Sequence, residues 1–180
     1  MPESDRVYLT FDDGPTPGVT EWILDQLAEY DAKATFFCLG KNAEQYPHLY
    51  RMIVDAGHAI GNHTYSHQKG WGMSLERYLE DVDFANDILH TDLFRPPYAR
   101  IKPSQAHRIS ERYNIVMWDV LSRDYSRLIS PRQCLCTTLP DTCAAVRSSY
   151  STIRSSRSAT CVTRCRAPYS ICKNRDSNVP

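Results

Sequence analysis

From Val7 to Leu121 the chain alternates short β-branched and aromatic runs with longer amphipathic stretches, and this alternation restricts its fold more than any other property. Val7 to Asp13 reads as a strand, and Gly18 to Tyr30 as a helix with Val19, Ile23, Leu24 and Leu27 on one face. A strand over Ala34 to Leu39, a helix from Glu44 to Ala56 stopped by Gly57, and a strand over Ala59 to His63 follow. Leu75, Leu79, Val82, Ile88 and Leu89 stripe the next helix, whose Glu80, Asp81, Asp83 and Asp87 fall on the solvent side. Strand Leu93 to Arg95, helix Ser104 to Tyr113 and strand Ile115 to Leu121 complete the series. Strands that alternate with helices are predicted to lie parallel, because each helix carries the chain back for the next strand. The expected fold class is therefore α/β, with a parallel sheet that is open or closed into a barrel.

Three short strings placed after expected strands carry the chemistry: Thr10-Phe11-Asp12-Asp13-Gly14-Pro15, His63-Thr64-Tyr65-Ser66-His67 and Arg95-Pro96-Pro97-Tyr98. Histidines four apart would stand one helical turn from each other, so both imidazoles would reach one ion. Adjacent carboxylates at a strand end point in different directions, so one can ligate a metal while the other serves as a base. Asp13, His63 and His67 offer one oxygen and two nitrogens, a set suited to catalytic Zn²⁺, with Co²⁺ or Ni²⁺ as substitutes. The competing reading of the acid pair is a Gly-Pro turn capped by Asp. His48, His58, His90 and His107 belong to no such string and read as ordinary. Sites on the rim at the C-terminal ends of strands are what βα barrels provide.

In order and company these strings resemble the motifs of the NodB-like polysaccharide deacetylases, carbohydrate esterase family 4, over residues 7–135. The resemblance implies a distorted (β/α) barrel of fewer than eight repeats and metal-dependent removal of acetyl groups from a carbohydrate. It makes Asp12 the base and Asp13 with the two histidines the ligands. It lets Arg95 orient Asp12 or line the groove, and gives the backbone N–H of Tyr98 to the oxyanion. Trp118 and Asp124 match a fourth motif, with Trp118 as pocket wall or core and Asp124 as partner of a general-acid histidine. That histidine belongs to a fifth motif, Leu-x-His, which the chain lacks: no histidine follows His107. The implied partner is an N-acetylated polymer of the chitin or peptidoglycan kind, with O-acetyl xylan as the alternative and Tyr65, Trp71, Tyr98 and Tyr125 as sugar-stacking candidates.

Composition divides the chain near Leu135. Residues 1–135 carry 14 basic and 19 acidic side chains, and residues 136–180 carry 7 and 2. Of seven cysteines, Cys38 stands in the first part on an apolar strand and reads as a buried thiol, while the other six fall within the last 47 residues at spacings that match no zinc module. The expected division is a deacetylase-type domain over 1–135, incomplete at its C-terminal side, and an aberrant Ser/Arg/Cys-rich tail over 136–180. Disorder explains such a tail; so does translation in a shifted frame. Coding Ser148 to Ile153 as TCG TCG TAT TCC ACG ATT and reading from the third base gives Val-Val-Phe-His-Asp, a strand-like segment with a histidine. The balanced total of 21 basic and 21 acidic residues argues against nucleic acid as the partner, leaving a basic tail arm as the one route to it. No apolar run reaches a membrane span, and the start Met-Pro-Glu-Ser-Asp has neither the basic nor the apolar region of a signal peptide, so localisation stays open.

Overall fold

The structure, a computed structural model, describes residues 8–118 together with the backbone of Val120–Leu121 and Ser149–Thr152. Its strands are β1 (Leu9–Asp12), β2 (Ala34–Cys38), β3 (Ala59–Asn62), β4 (Leu93–Phe94), β5 (Asn114–Ile115), β6 (Val120–Leu121) and β7 (Ser149–Thr152). Its helices are α1 (Val19–Glu29), α2 (Gly40–Gln45), α3 (Pro47–Asp55), α4 (Leu75–Leu89) and α5 (Pro103–Ser110). All strand pairs are parallel, in the order β5-β4-β3-β2-β1-β7-β6. The α/β class and the parallel sheet are as expected, and no helix among the described residues is long and apolar enough to cross a membrane.

Two expected elements are divided. The helix expected over Glu44 to Ala56 is two helices, α2 and α3, which meet at Tyr46 with φ −126° and ψ 62°. Pro47 explains the break: its ring excludes the helical conformation at the preceding residue and it has no N–H to continue the ladder, yet it suits the first turn of a new helix. The strand expected over Ile115 to Leu121 pairs with β4 through Asn114–Ile115 and with β7, at the far edge, through Val120–Leu121. β7 itself falls in the segment from which no strand period could be read. It pairs through its backbone, Leu9 opposite Ser149 and Asp12 opposite Thr152.

The division of the last expected strand shows that the sheet curls. Seven strands laid flat would separate β5 from β6 by six spacings, about 29 Å. The five residue steps from Ile115 to Val120 span at most about 18 Å. The sheet therefore bends toward a barrel, although its edge strands β5 and β6 are not hydrogen-bonded to each other. One core lies between the sheet and helices α1 and α3, with Phe11, Ile23, Leu27, Phe36 and Ile53 buried in it. A second gathers Tyr78, Val82, Phe94, Ile109 and Tyr113 beneath α4 and α5. Inside the curl Gly61 faces the Phe37 ring so closely that a Cβ would stand 2.3 Å from it, so no larger residue fits there.

Candidate metal and hydrolytic centre

Parallel register aligns the strand ends that carry the site. Asp12 pairs with Phe37, Cys38 with Asn62, Asn62 with Phe94, and Phe94 with Ile115, so Asp12, His63, Arg95 and Val116 share one rim. Asp12 ends β1 wholly buried. The chain then turns at Asp13, whose φ of 69° sends its carboxylate in another direction. His63 and His67 are not separated by a helical turn, as their spacing suggested. They sit on a loop bent twice into the left-handed region, at Thr64 (φ 67°) and His67 (φ 58°), and this loop brings their rings to 5.3 Å between centroids.

Asp13, His63 and His67 offer three ligand atoms within 4.8 Å of one another. Asp13 Oδ1 lies 3.5 Å from His63 Nε2 and 3.1 Å from His67 Nε2. Donors about 2.1 Å from a shared ion at tetrahedral angles stand about 3.4 Å apart, so the set fits. His63 Nδ1 lies 2.7 Å from the Arg95 carbonyl oxygen, which can only accept, so Nδ1 carries the proton and Nε2 presents its lone pair. That Nε2 is buried and has no hydrogen-bond partner among the described residues. Burial pushes the His63 pKa down to about 4, with His67 adding to the effect and Asp13 opposing it, so the ring is neutral near pH 7 and available as a ligand.

Arg95 is the largest fully buried side chain among the described residues. Its Nη1 donates to Asp12 Oδ1 and Thr10 Oγ1, each at 2.8 Å, and its Nε donates to the Val116 carbonyl at 3.1 Å. Its guanidinium lies 4.0 Å over the Phe37 ring and 5.9 Å from that of Trp118. Arg95 is buried and in contact with Asp12, and forms no surface ion pair. Reaching from β4 to β1 would mean crossing three strand spacings, about 14 Å, on a flat sheet, and the curl brings the two within one side chain's length.

Tyr98 follows Pro96-Pro97 in the left-handed region at φ 59°, half exposed, with its ring 4.6 Å from that of His67. Trp118 is half-buried on the segment bridging β5 and β6. Asp124, Tyr125 and the six later cysteines lie outside the described residues. Trp71 is exposed, whereas Tyr65 is packed against Phe84 and donates its hydroxyl to Glu44. Cys38 is a free, buried thiol held well above its usual pKa by desolvation and by Asp12.

One positioning residue was read differently from the sequence. Asp81, expected on the wet side of α4, accepts from the backbone N–H groups of Tyr65 (3.0 Å) and Ser66 (3.2 Å) through Oδ2 and from Ser66 Oγ (2.6 Å) through Oδ1. Asn62 completes the clamp by accepting from Thr64 N at 2.8 Å. Helical periodicity places Asp81 on a face of α4 but does not disclose that the histidine loop crosses that face.

Comparison with known proteins agrees with this picture. Residues 1–118 match the family profile described as polysaccharide deacetylase. The chain is 40% identical over 127 residues to a peptidoglycan-N-acetylglucosamine deacetylase of Bacillus cereus, covering 67% of this chain and 46% of that one. It is 51% identical over 131 residues to a chitooligosaccharide deacetylase of Azorhizobium caulinodans, covering 66% of this chain and 60% of the relative. It thus spans about half the length of the curated relatives it matches. Among solved structures, the Bc1960 peptidoglycan N-acetylglucosamine deacetylase in complex with 4-naphthalen-1-yl-N-oxidanyl-benzamide superposes with a TM-score of 0.83 at 28% identity, over 94% of this chain and 83% of that one. A profile match through the whole rim-bearing part of the sequence, with a shared fold behind it, establishes that the chain belongs to the polysaccharide deacetylase family.

Proposed function

We propose that the chain hydrolyses acetyl groups from an N-acetylated sugar polymer with the help of a divalent ion, most suitably Zn²⁺, held by Asp13, His63 and His67. The observation that carries this reading is the convergence of three ligand atoms within 4.8 Å beside a buried carboxylate, Asp12, that an arginine holds in place. When bound, such an ion supplies Lewis acidity at the acetyl carbonyl and acidifies water. Asp12 takes the proton of the attacking water. Arg95 fixes Oδ1 of that carboxylate, so its orientation is set before substrate arrives. The Tyr98 N–H donates to the developing oxyanion, on a loop stiffened by two prolines, and Trp118 walls the acetyl group. The compound in the Bc1960 complex is an N-hydroxy amide, a hydroxamic acid with two chelating oxygens, and such a ligand suits a metal centre of this kind.

A second form of the reading is favoured by one sequence observation: no histidine follows His107 to protonate a leaving amine. In that form the centre is assembled but turns over amides slowly, by about 10²–10⁴-fold for want of a general acid, and esters suffer less. Translation of 136–180 in a shifted frame would account for the missing histidine.

The test is acetate release from an N-acetylglucosamine tetramer and from a matched O-acetyl ester, before and after a chelator, with Zn²⁺ added back. Release that disappears with chelator and returns with zinc supports the proposal. Release indifferent to chelator, or none from either substrate, removes it.

A further inference from the structure

We infer that Asn42, in the first turn of α2, is a positioning residue that sets the separation between the Asp13 carboxylate and the two imidazoles; this rests on the metal centre proposed above. Asp13 belongs to the loop after β1 and the histidines to the loop after β3, so closeness in sequence does not fix their spacing. One loop has to be held against the other.

The sheet order gives that role to α2. β2 lies between β3 and β1, and α2 follows it across Leu39 alone, so its first turn rises between the two loops. The N–H groups of a helix's first turn have no partner within the helix, and no side chain caps these. They donate to the loops instead. Gly40 N donates to the Thr64 carbonyl at 3.1 Å and Lys41 N to that of Tyr65 at 3.2 Å on the histidine side, while Leu39 N donates to that of Gly14 at 3.0 Å on the acid side. A fourth bond comes from a side chain: Asn42 Nδ2 donates to the Asp13 carbonyl at 2.8 Å. Gly40 lets the turn sit this deep, since a Cβ there would stand 2.8 Å from the Ala85 Cα and 2.8 Å from the Tyr65 ring.

Asp13 and Thr64 are both bent to positive φ, 69° and 67°, and α2 holds the carbonyl of each. That conformation is costly outside glycine and persists only where the surroundings enforce it. Three of the four bonds use backbone N–H groups that any sequence would supply; Asn42 alone contributes a side chain. Asparagine is also a poorer helix former than alanine or leucine, so the helix by itself gives no reason for it. Releasing the Asp13 carbonyl frees its carboxylate to drift from the 3.5 Å and 3.1 Å at which Oδ1 stands from the two Nε2 atoms, while Asn62 and Asp81 still hold the histidine loop. The loss therefore falls on metal affinity and coordination geometry.

The experiment compares the parent with Asn42→Ala, Asn42→Leu and Tyr50→Phe. It reads zinc affinity by competition with a chromophoric chelator, the visible spectrum of the Co²⁺-loaded protein, the urea midpoint of the metal-free protein, and acetate release. Asn42→Leu keeps the volume of the side chain. Tyr50→Phe removes a hydrogen bond of equal length, from Tyr50 Oη to the Leu89 carbonyl at 2.8 Å, which joins α3 to α4 and touches neither ligand loop. Both Asn42 variants are expected to bind zinc about tenfold more weakly, the lower end of what loss of a group supporting a ligand costs, and to shift the cobalt bands. Tyr50→Phe should lower the urea midpoint and leave zinc affinity and bands unchanged. Parental zinc affinity in either Asn42 variant, parental cobalt bands in both, a loss that Tyr50→Phe reproduces, or failure of both Asn42 variants to fold cooperatively would overturn the inference. A parent that binds zinc and releases no acetate counts against the proposed activity alone; a parent that holds no zinc overturns the centre and this inference with it.

Discussion

The Nδ1 proton of His63 is held by the carbonyl of Arg95 at 2.7 Å, while the guanidinium of the same arginine holds Asp12 at 2.8 Å. A single residue at the end of β4 thus fixes the tautomer of a candidate ligand with its backbone and the orientation of the candidate base with its side chain.

Loss of a ligand should release the ion. His63→Ala, His67→Ala and Asp13→Asn each leave two donors of three, too few to retain a labile metal. Elemental analysis of the purified variants is expected to find under a tenth of an equivalent of zinc; undiminished zinc in any of them would remove that residue from the ligand set.

Asp12→Asn should keep the metal and lose about 10²–10⁴-fold in acetate release, because the carboxylate is assigned to proton transfer and not to ligation. Metal content falling as far as in Asp13→Asn would reverse the two roles.

Arg95→Leu should destabilise the protein by about 3–5 kcal/mol, since it deprives the buried Asp12 carboxylate of its guanidinium. Restoring apolar volume does not help unless Asp12 is neutralised too, so the double variant Arg95→Leu with Asp12→Asn should recover part of the loss. Urea unfolding of the four proteins closes the cycle, and strictly additive losses would refute the coupling.

Asp81→Ala should cost about 2 kcal/mol and weaken zinc binding without touching a ligand, because it frees the backbone of Tyr65 and Ser66 between the two histidines. A competition titration against a chromophoric chelator reads the affinity; an unchanged zinc affinity would show that the loop keeps its shape unaided.

Acid should weaken the fold partly through His58. Burial, with Lys33 nearby, lowers its pKa below the ordinary value of about 6.5, and its Nδ1 accepts the Ala34 N–H at 3.4 Å. The folded state therefore takes up this proton less readily than the unfolded chain. The stabilisation is complete above about pH 6.5 and is lost as the pH falls below it. The urea midpoint should drop between pH 7.5 and 5.5, and by less in His58→Leu than in the parent; equal drops would sink the assignment.

What could be read in advance follows the range of the interaction concerned. The α1 stripe of Val19, Ile23, Leu24 and Leu27 is buried as its period demands, and the Asp and His strings meet because parallel register aligns strand ends whatever the loops do. The break at Pro47 was a local signal outweighed by a long apolar period. The reach of Arg95 to β1 and the hold of Asp81 on the histidine loop were hidden for another reason: both depend on how the sheet curls and which loop crosses which helix, and neither has a local pattern. The left-handed turns at Thr64 and His67 were equally hidden, since neither residue is a glycine or asparagine that would announce them.

Thr64 carries a further implication. It is β-branched, wholly buried and bent to a positive φ between the two imidazoles, in a conformation that costs such a residue about 1–2 kcal/mol. What holds it there is protein, chiefly Asn62 beneath it and Asp81 beside it. The histidines are thus aimed by the scaffold before any ion arrives, and the ordering entropy that a zinc finger spends on binding has already been met by folding. If the proposed ion binds there, exchange of one divalent ion for another would be a local event at a pocket already shaped, and the identity of the metal would follow supply and donor chemistry while the sheet stays as it is.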